Sequence, residues 1–248
     1  MASMERIGAA AVELMEAETW SWPVRIGYTV VVLGGLELVS RFVLTAFSGA
    51  EKIPIKGKHH DKLTTKDKCF IAFNKATVVV FTWHMLSYIW QNPKVVWALE
   101  DATALNTAAA AALLYVVYDF FYTLFHRFLH VKAIYGYVHK HHHIQKAPSR
   151  GNVDAVNVHP FEFVCGEYNH ILALFILTTF MEVHVLAAGL FILAGGALAS
   201  LNHTRYDVSI PGIYDVKYHD VHHRIPQSNY GQYIMLWDHL MGSFREYV

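Results

Sequence analysis

Cysteine is nearly absent from this chain. Cys69 and Cys165 are its only two in 248 residues, too few for a disulfide framework, and no Cys-x-x-Cys pair exists for zinc or thiol redox chemistry. Charge is scarce as well. Asp, Glu, Lys and Arg make up 16% of the chain, with 20 basic residues against 20 acidic ones. The basic excess with which a nucleic-acid binder neutralises phosphates is therefore missing, and no nucleic-acid partner is expected. Residues 1–22 have no basic start and no continuous apolar core; Glu5, Glu13, Glu16 and Glu18 interrupt them, which excludes a secretory signal peptide. There is no Gly-x-Gly-x-x-Gly for a nicotinamide and no Cys-x-x-Cys-His for haem attachment. Apart from a few alanines near residue 110, low-complexity tracts and fixed-period repeats are lacking too, so residues 1–248 read as a single membrane domain.

What the chain has in quantity is apolar sequence, 54% of it hydrophobic. Ile7, Val12, Leu14 and Met15, followed by Trp20 and Trp22, suit an interfacial helix over 1–22, since indole rings favour the headgroup zone. Pro23 to Phe47, Phe70 to Trp90 and Ala102 to Phe125 each approach the roughly 20 residues that cross a bilayer. From Phe163 to Leu201 a longer apolar stretch breaks near Glu182 and His184, as two helices and a tight turn would. The expected fold class is all-α: an integral membrane bundle of four to five helices with a histidine-rich helical cap. Lys52, Lys56, Lys58, Lys62, Lys66 and Lys68 crowd one connection, and Arg127, Lys132, Lys140, Lys146 and Arg150 follow the third span. By the positive-inside rule both regions are expected in the cytoplasm, and every histidine cluster with them.

Histidine is the other abundance: 17 residues, with 13 of them between His126 and His223. His126 and His130 are four apart, so on a helix both rings leave one face. His139, His142 and His143 stand at i, i+3 and i+4, and His219, His222 and His223 repeat that spacing; each triplet is expected to share a face. Eight imidazoles in three clusters exceed the four ligands that close one tetrahedral zinc, so two metals are expected. All-imidazole sites suit zinc, copper, nickel and iron. His203 and His159 are isolated and weaker candidates. His141 points off the ligand face, and His59, His60, His84, His170, His184 and His239 default to structural roles. Histidine ligands need outer acceptors to orient their rings. Asp119, two turns before His126 in an apolar segment, is the first candidate, and Glu162, Asp215 and Asp220 follow. A metal-ion transporter would instead carry its histidines along the spans.

In order along the chain stand Asp119, His126-x3-His130, His139-Lys-x-His142-His143, His159-Pro-x-Glu162, His203-Thr-Arg-Tyr-Asp and His219-x-x-His222-His223. A closing stretch follows, with Asn229-Tyr-Gly-Gln-Tyr233, Leu236-Trp-Asp238 and Gly242-Ser-Phe244. This series, over about residues 115–245, resembles the fatty acid hydroxylase and sterol desaturase superfamily of membrane di-iron oxidases. The tail is most similar to the sterol ring B desaturases, while His-Pro-Phe-Glu stands where those carry His-Pro-x-Asp-Gly. The resemblance implies two iron ions, which purification can replace with zinc, held by His126, His130, His139, His142, His143, His203, His219, His222 and His223. His159, Asp119 and Glu162 would stand as further ligands or as supports of the ligands. It implies oxygen-dependent hydroxylation or desaturation of a lipid, a sterol first. Cytochrome b5 or a comparable reductase would deliver the electrons, in the endoplasmic reticulum membrane. Fatty acid, carotenoid and alkylglycerol hydroxylases share the same frame. A non-catalytic, zinc-bound membrane scaffold is the alternative outside enzymology.

Overall fold

The computed structural model describes residues 20–248, so the interfacial helix expected over 1–22 falls almost wholly outside the described residues. Five helices are long and apolar enough to cross a membrane. Helix α1 (Trp22–Ala46) starts behind Ser21 with a proline in its first turn, where the missing N–H costs nothing. Helix α2 (Thr65–Gln91) opens on a capping box in which Thr64 accepts from the Asp67 N–H at 3.2 Å and Asp67 accepts from the Thr64 N–H at 2.6 Å. A short strand β1 (Val95–Val96) follows, and a π-helical turn (Leu105–Ala109) then runs into α3 (Ala110–Leu129). Helix α4 (Pro160–Phe180), strand β2 (Val183–His184) and helix α5 (Val185–Asn202) form the expected hairpin. The short hairpin β3 (Ser209–Ile210) and β4 (Tyr214–Asp215) turns at Gly212, whose φ of +74° only glycine adopts cheaply. Helices α6 (Val216–Arg224) and α7 (Leu236–Met241) complete the chain.

The third span extends one turn beyond the expected limit of Phe125, and His126 consequently belongs to its last turn. Helices α3, α4 and α5 pack together with α2 against them, around Phe81, Leu114, Tyr118, Leu174 and Phe191. Ala110, Ala173, Ala187 and Ala188 are fully buried at these contacts; without long side chains, helix backbones approach closely enough for dispersion to hold them. Val30, Phe42, Val80, Phe175 and Leu190 are exposed, the inverse of a water-soluble bundle and the arrangement lipid contact requires.

Five helices alternate in direction, so the connections sort to two ends. At one end β1 pairs in parallel with β2, joining the segment after α2 to the α4–α5 turn. At the other end the segments 47–64, 130–159 and 203–248 weave into a cap. Ile53 donates to the Arg205 carbonyl at 2.7 Å, Lys146 to that of Lys58 at 3.0 Å and Gly151 to that of His203 at 2.9 Å. The Arg205 guanidinium ties Ile53 and Pro54 carbonyls to the Asp220 carboxylate, which also holds Arg224 at 3.0 Å. In a background lacking Cys69 and Cys165, Lys94→Cys and Lys140→Cys should react with a membrane-impermeant maleimide from opposite sides of sealed vesicles. Labelling from the same side would exclude five crossings.

Candidate metal centre

His126 lies in the last turn of α3 and His130 caps that helix, where Nε2 of His130 is buried with no hydrogen-bond partner. The chain then passes through the short helix Lys132–Tyr135 into irregular turns and a 3-10 turn (His142–Ile144), so His139, His142 and His143 do not ride a regular α-helix. His203 caps the end of α5, and His219, His222 and His223 lie on α6.

These nine rings form two groups. His126, His130, His139, His143 and His222 make one, and His142, His203, His219 and His223 the other, each with its candidate ligand nitrogens within 4.8 Å of one another. The expectation that each triplet acts from one face is therefore corrected. Successive residues on a helical turn diverge by about 100°, so adjacent rings cannot meet at one point while rings four apart can. His139 and His143 join the first group and send His142 to the second; His219 and His223 join the second and send His222 to the first. The two motifs interlock.

Distances support a shared ion in each group. Nε2 of His139 lies 2.9 Å from Nε2 of both His126 and His143. In the second group the contacts are 3.3 Å for His203 to His142 and 3.1 Å for His219 to His203 and to His223. Two nitrogens about 2.1 Å from one ion stand about 2.9–3.4 Å apart, for angles between 90° and the tetrahedral value.

Proton bookkeeping carries this further. Nδ1 of His126 meets the Tyr230 carbonyl at 2.7 Å, that of His222 the Ser228 carbonyl at 2.7 Å, that of His223 the Gln145 carbonyl at 2.9 Å and that of His203 the Ala199 carbonyl at 2.8 Å. A carbonyl only accepts, so each of these Nδ1 atoms carries the proton and each Nε2 presents a lone pair. Nδ1 of His139 donates likewise to Glu162 Oε1 at 2.7 Å. His126 and His139 thus face each other lone pair to lone pair. His219 touches two such lone pairs, from His203 and His223, and has one Nε2 proton at most to offer them. Burial first, and neighbouring imidazoles second, hold His139, His142, His143, His219, His222 and His223 well below the ordinary histidine range, so protons do not relieve the repulsion at neutral pH. A cation in each group does, and the donor sets fit one.

The remaining expected residues divide. Glu162, buried, supports His139. Asp119 makes no hydrogen bond to a histidine; its carboxylate accepts from the backbone N–H groups of Gln232, Tyr233 and Ile234 at 2.6–3.2 Å. That grip folds the closing segment over the site and sets the Tyr230 carbonyl that orients His126. His159 is in neither group: its Nδ1 accepts from the Phe161 N–H at 3.2 Å and caps α4. Asp215 caps α6 in the same way. His141 bonds Asn157 and Asp67 instead of joining a group. Sequence reasoning missed four orienting acceptors, the carbonyls of Gln145, Ala199, Ser228 and Tyr230, because every residue has a carbonyl. Only Asn229, held at φ +52° by bonds to Tyr218 and Arg245, left a trace in the closing motif.

Beneath the second group a cavity of about 770 Å3 runs into the bundle, reaching His142, His203 and His219. Its walls are mostly apolar and come from α1, α2, α4 and α5, among them Val31, Leu38, Phe81, Phe163 and Ile192.

Residues 111–243 match the family model described as fatty acid hydroxylase. The chain belongs to the fatty acid hydroxylase family. Similar members include a Delta(7)-sterol-C5(6)-desaturase of Nicotiana tabacum, 26% identical over 152 residues that make up 60% of this chain and 55% of that one. A lathosterol oxidase of Rattus norvegicus is 31% identical over 123 residues, 48% of this chain and 40% of that one. Methylsterol monooxygenase 1 of the same species is 28% identical over 138 residues, 53% and 45%. The matched stretch spans about half the length of these relatives. No solved structure matches the chain. All nine clustered histidines fall within the family match.

Removing an acceptor that orients a ligand typically weakens metal affinity by about 10–100-fold. Glu162→Ala should do this in a chelator-competition titration of the purified protein with Zn2+, and Glu162→Gln, which keeps an acceptor, should stay within a few-fold of wild type. Equal affinity for all three would mean that this bond does not position His139.

Proposed function

We propose that this protein is a membrane-bound di-iron oxidase that uses dioxygen and external electrons to hydroxylate or desaturate a lipid, with sterols as the substrate class. The observation that carries the reading is the pair of converging lone-pair clusters at the head of a deep apolar cavity. His126, His130, His139, His143 and His222 would hold one iron, and His142, His203, His219 and His223 the other. When bound, the irons supply the dioxygen-derived oxidant that removes hydrogen from an unactivated C–H bond.

The chain's own residues do the rest. Glu162 and the carbonyls of Tyr230, Ser228, Gln145 and Ala199 hold their imidazoles in the Nδ1–H form, so every one of those Nε2 atoms is a donor to metal. The mostly apolar cavity wall disfavours water, which would quench a strong oxidant. The cavity wall beside His142, His203 and His219 brings a lipid carbon to those rings. The names of the relatives, a sterol desaturase, a lathosterol oxidase and a methylsterol monooxygenase, support a sterol over a fatty acid.

Electrons would come from cytochrome b5 or a similar reductase partner. The positive-inside rule supports a cytoplasmic position for the cap, where Lys58, Lys62 and Lys140 are exposed to an acidic donor. An endoplasmic reticulum membrane suits the same relatives.

The test is a mass profile of neutral lipids and fatty acids from host membranes expressing wild type or His222→Ala, with metal analysis of both purified proteins. Wild type should carry about two irons, one for each group, and yield a product shifted by one oxygen or by two hydrogens. His222→Ala should lose the product and at least one iron. Activity retained without iron would refute the reading. Tight zinc with no oxygen uptake in reconstituted wild type would favour a scaffold.

A further inference from the structure

One acid in the bundle serves none of the roles described so far. Glu167 lies on α4, five residues past Glu162, and its side chain makes no hydrogen bond to any described residue. It is enclosed by protein yet keeps accessible surface, and it lines the cavity. An acid inside a membrane helix is costly unless something pairs with it, which makes an unpaired one a candidate for function. Its neighbours are already engaged: His170 bonds the Tyr233 hydroxyl at 3.2 Å and the Glu167 carbonyl at 3.0 Å, and the Tyr118 hydroxyl bonds the Gly166 carbonyl at 3.4 Å. None of these bonds reaches the carboxyl.

The wall contributes a second constraint. Among the described residues no Lys or Arg lines the cavity, so a carboxylate or phosphate headgroup would find no cation there and would meet the Glu167 carboxyl instead. A neutral hydroxyl suits it, because a carboxylate accepts from the O–H and a carboxylic acid donates to its oxygen. At 1.5 Å rise per residue, Glu167 sits about 7.5 Å along α4 from Glu162, away from the histidine end.

We propose that Glu167 is the specificity-determining anchor of the cavity, hydrogen-bonding the hydroxyl of a neutral hydroxylated lipid such as a sterol. This assignment rests on the lipid-oxidase reading above and names the side chain that would select its substrate. It is a positioning role, and it is separable from metal binding because Glu167 makes no hydrogen bond to any of the nine clustered histidines.

The experiment measures binding, not turnover. The chain of residues 1–248, purified in detergent, is titrated with tritiated cholesterol, with unlabelled cholesterol, 5-cholestene, which lacks the hydroxyl, and stearic acid as competitors. A buried hydrogen bond whose removal leaves its partner unsatisfied is worth a factor of about ten or more in affinity. Wild type should prefer cholesterol to 5-cholestene by about that factor and to stearic acid by more. Glu167→Leu should lose the preference, with affinity for 5-cholestene unchanged, and Glu167→Gln, still able to bond a hydroxyl, should keep most of it. An unchanged preference in Glu167→Leu, a wild-type preference for stearic acid, or no cholesterol binding by wild type would each overturn the assignment. Iron analysis on the same preparations separates the two readings. Hydroxyl-dependent binding through Glu167 by a protein unable to hold iron would refute the oxidase and leave the anchor standing.

Discussion

Nine imidazoles packed into the dry end of a helical bundle impose the constraint on which the rest of this structure depends. Neutral rings whose Nδ1 protons go to carbonyls or to Glu162 aim their Nε2 lone pairs at neighbouring rings, and lone pairs about 3 Å apart, as in His126 and His139, repel unless a cation lies between them. Everything nearby serves to hold that arrangement. Asp119 pins residues 232–234 so that Tyr230 can receive His126. Asp238 accepts from the N–H groups of Tyr230 and Gly231 and from the Ser243 hydroxyl, which closes the same segment. Arg205, between the 53–54 backbone and Asp220, locks α6 and its three histidines against the first connection.

The architecture divides labour between its two ends. A span needs only length and apolar character, and its packing needs small residues at the contacts; α3, α4 and α5 meet both demands with alanine and leucine. Three acids within the bundle differ in their surroundings. Glu162 orients a ligand, Asp119 holds a backbone segment and Glu167 faces the cavity, whereas the β1–β2 end carries no histidine group among the described residues. The cavity joins the two regimes, running from apolar walls to three rings of the second group.

Much of this was legible in the residues. Long apolar runs identified all five spans, since crossing a membrane is a property of local composition. Eight histidines stood out by their spacing, isolated His203 entered only through the resemblance, and all nine are in the two groups. Which group each would enter was not legible. His142 and His143 are neighbours in sequence, yet their rings leave the chain in different directions, and the partner awaiting each comes from α6 or α5, some 60–80 residues away.

The sequence by itself determined what the protein is made to do in outline: it must lie in a membrane, and it must gather imidazoles at one end. Both follow from residue type and short-range periodicity. Only the tertiary structure decided the sorting of ligands into five and four, the carbonyls that set their tautomers, the removal of His159 and Asp119 from the histidine groups, and the exposure of Glu167 to the cavity. Those depend on which backbone passes within about 3 Å of which ring, a matter of hydrogen-bond reach between segments far apart in the chain.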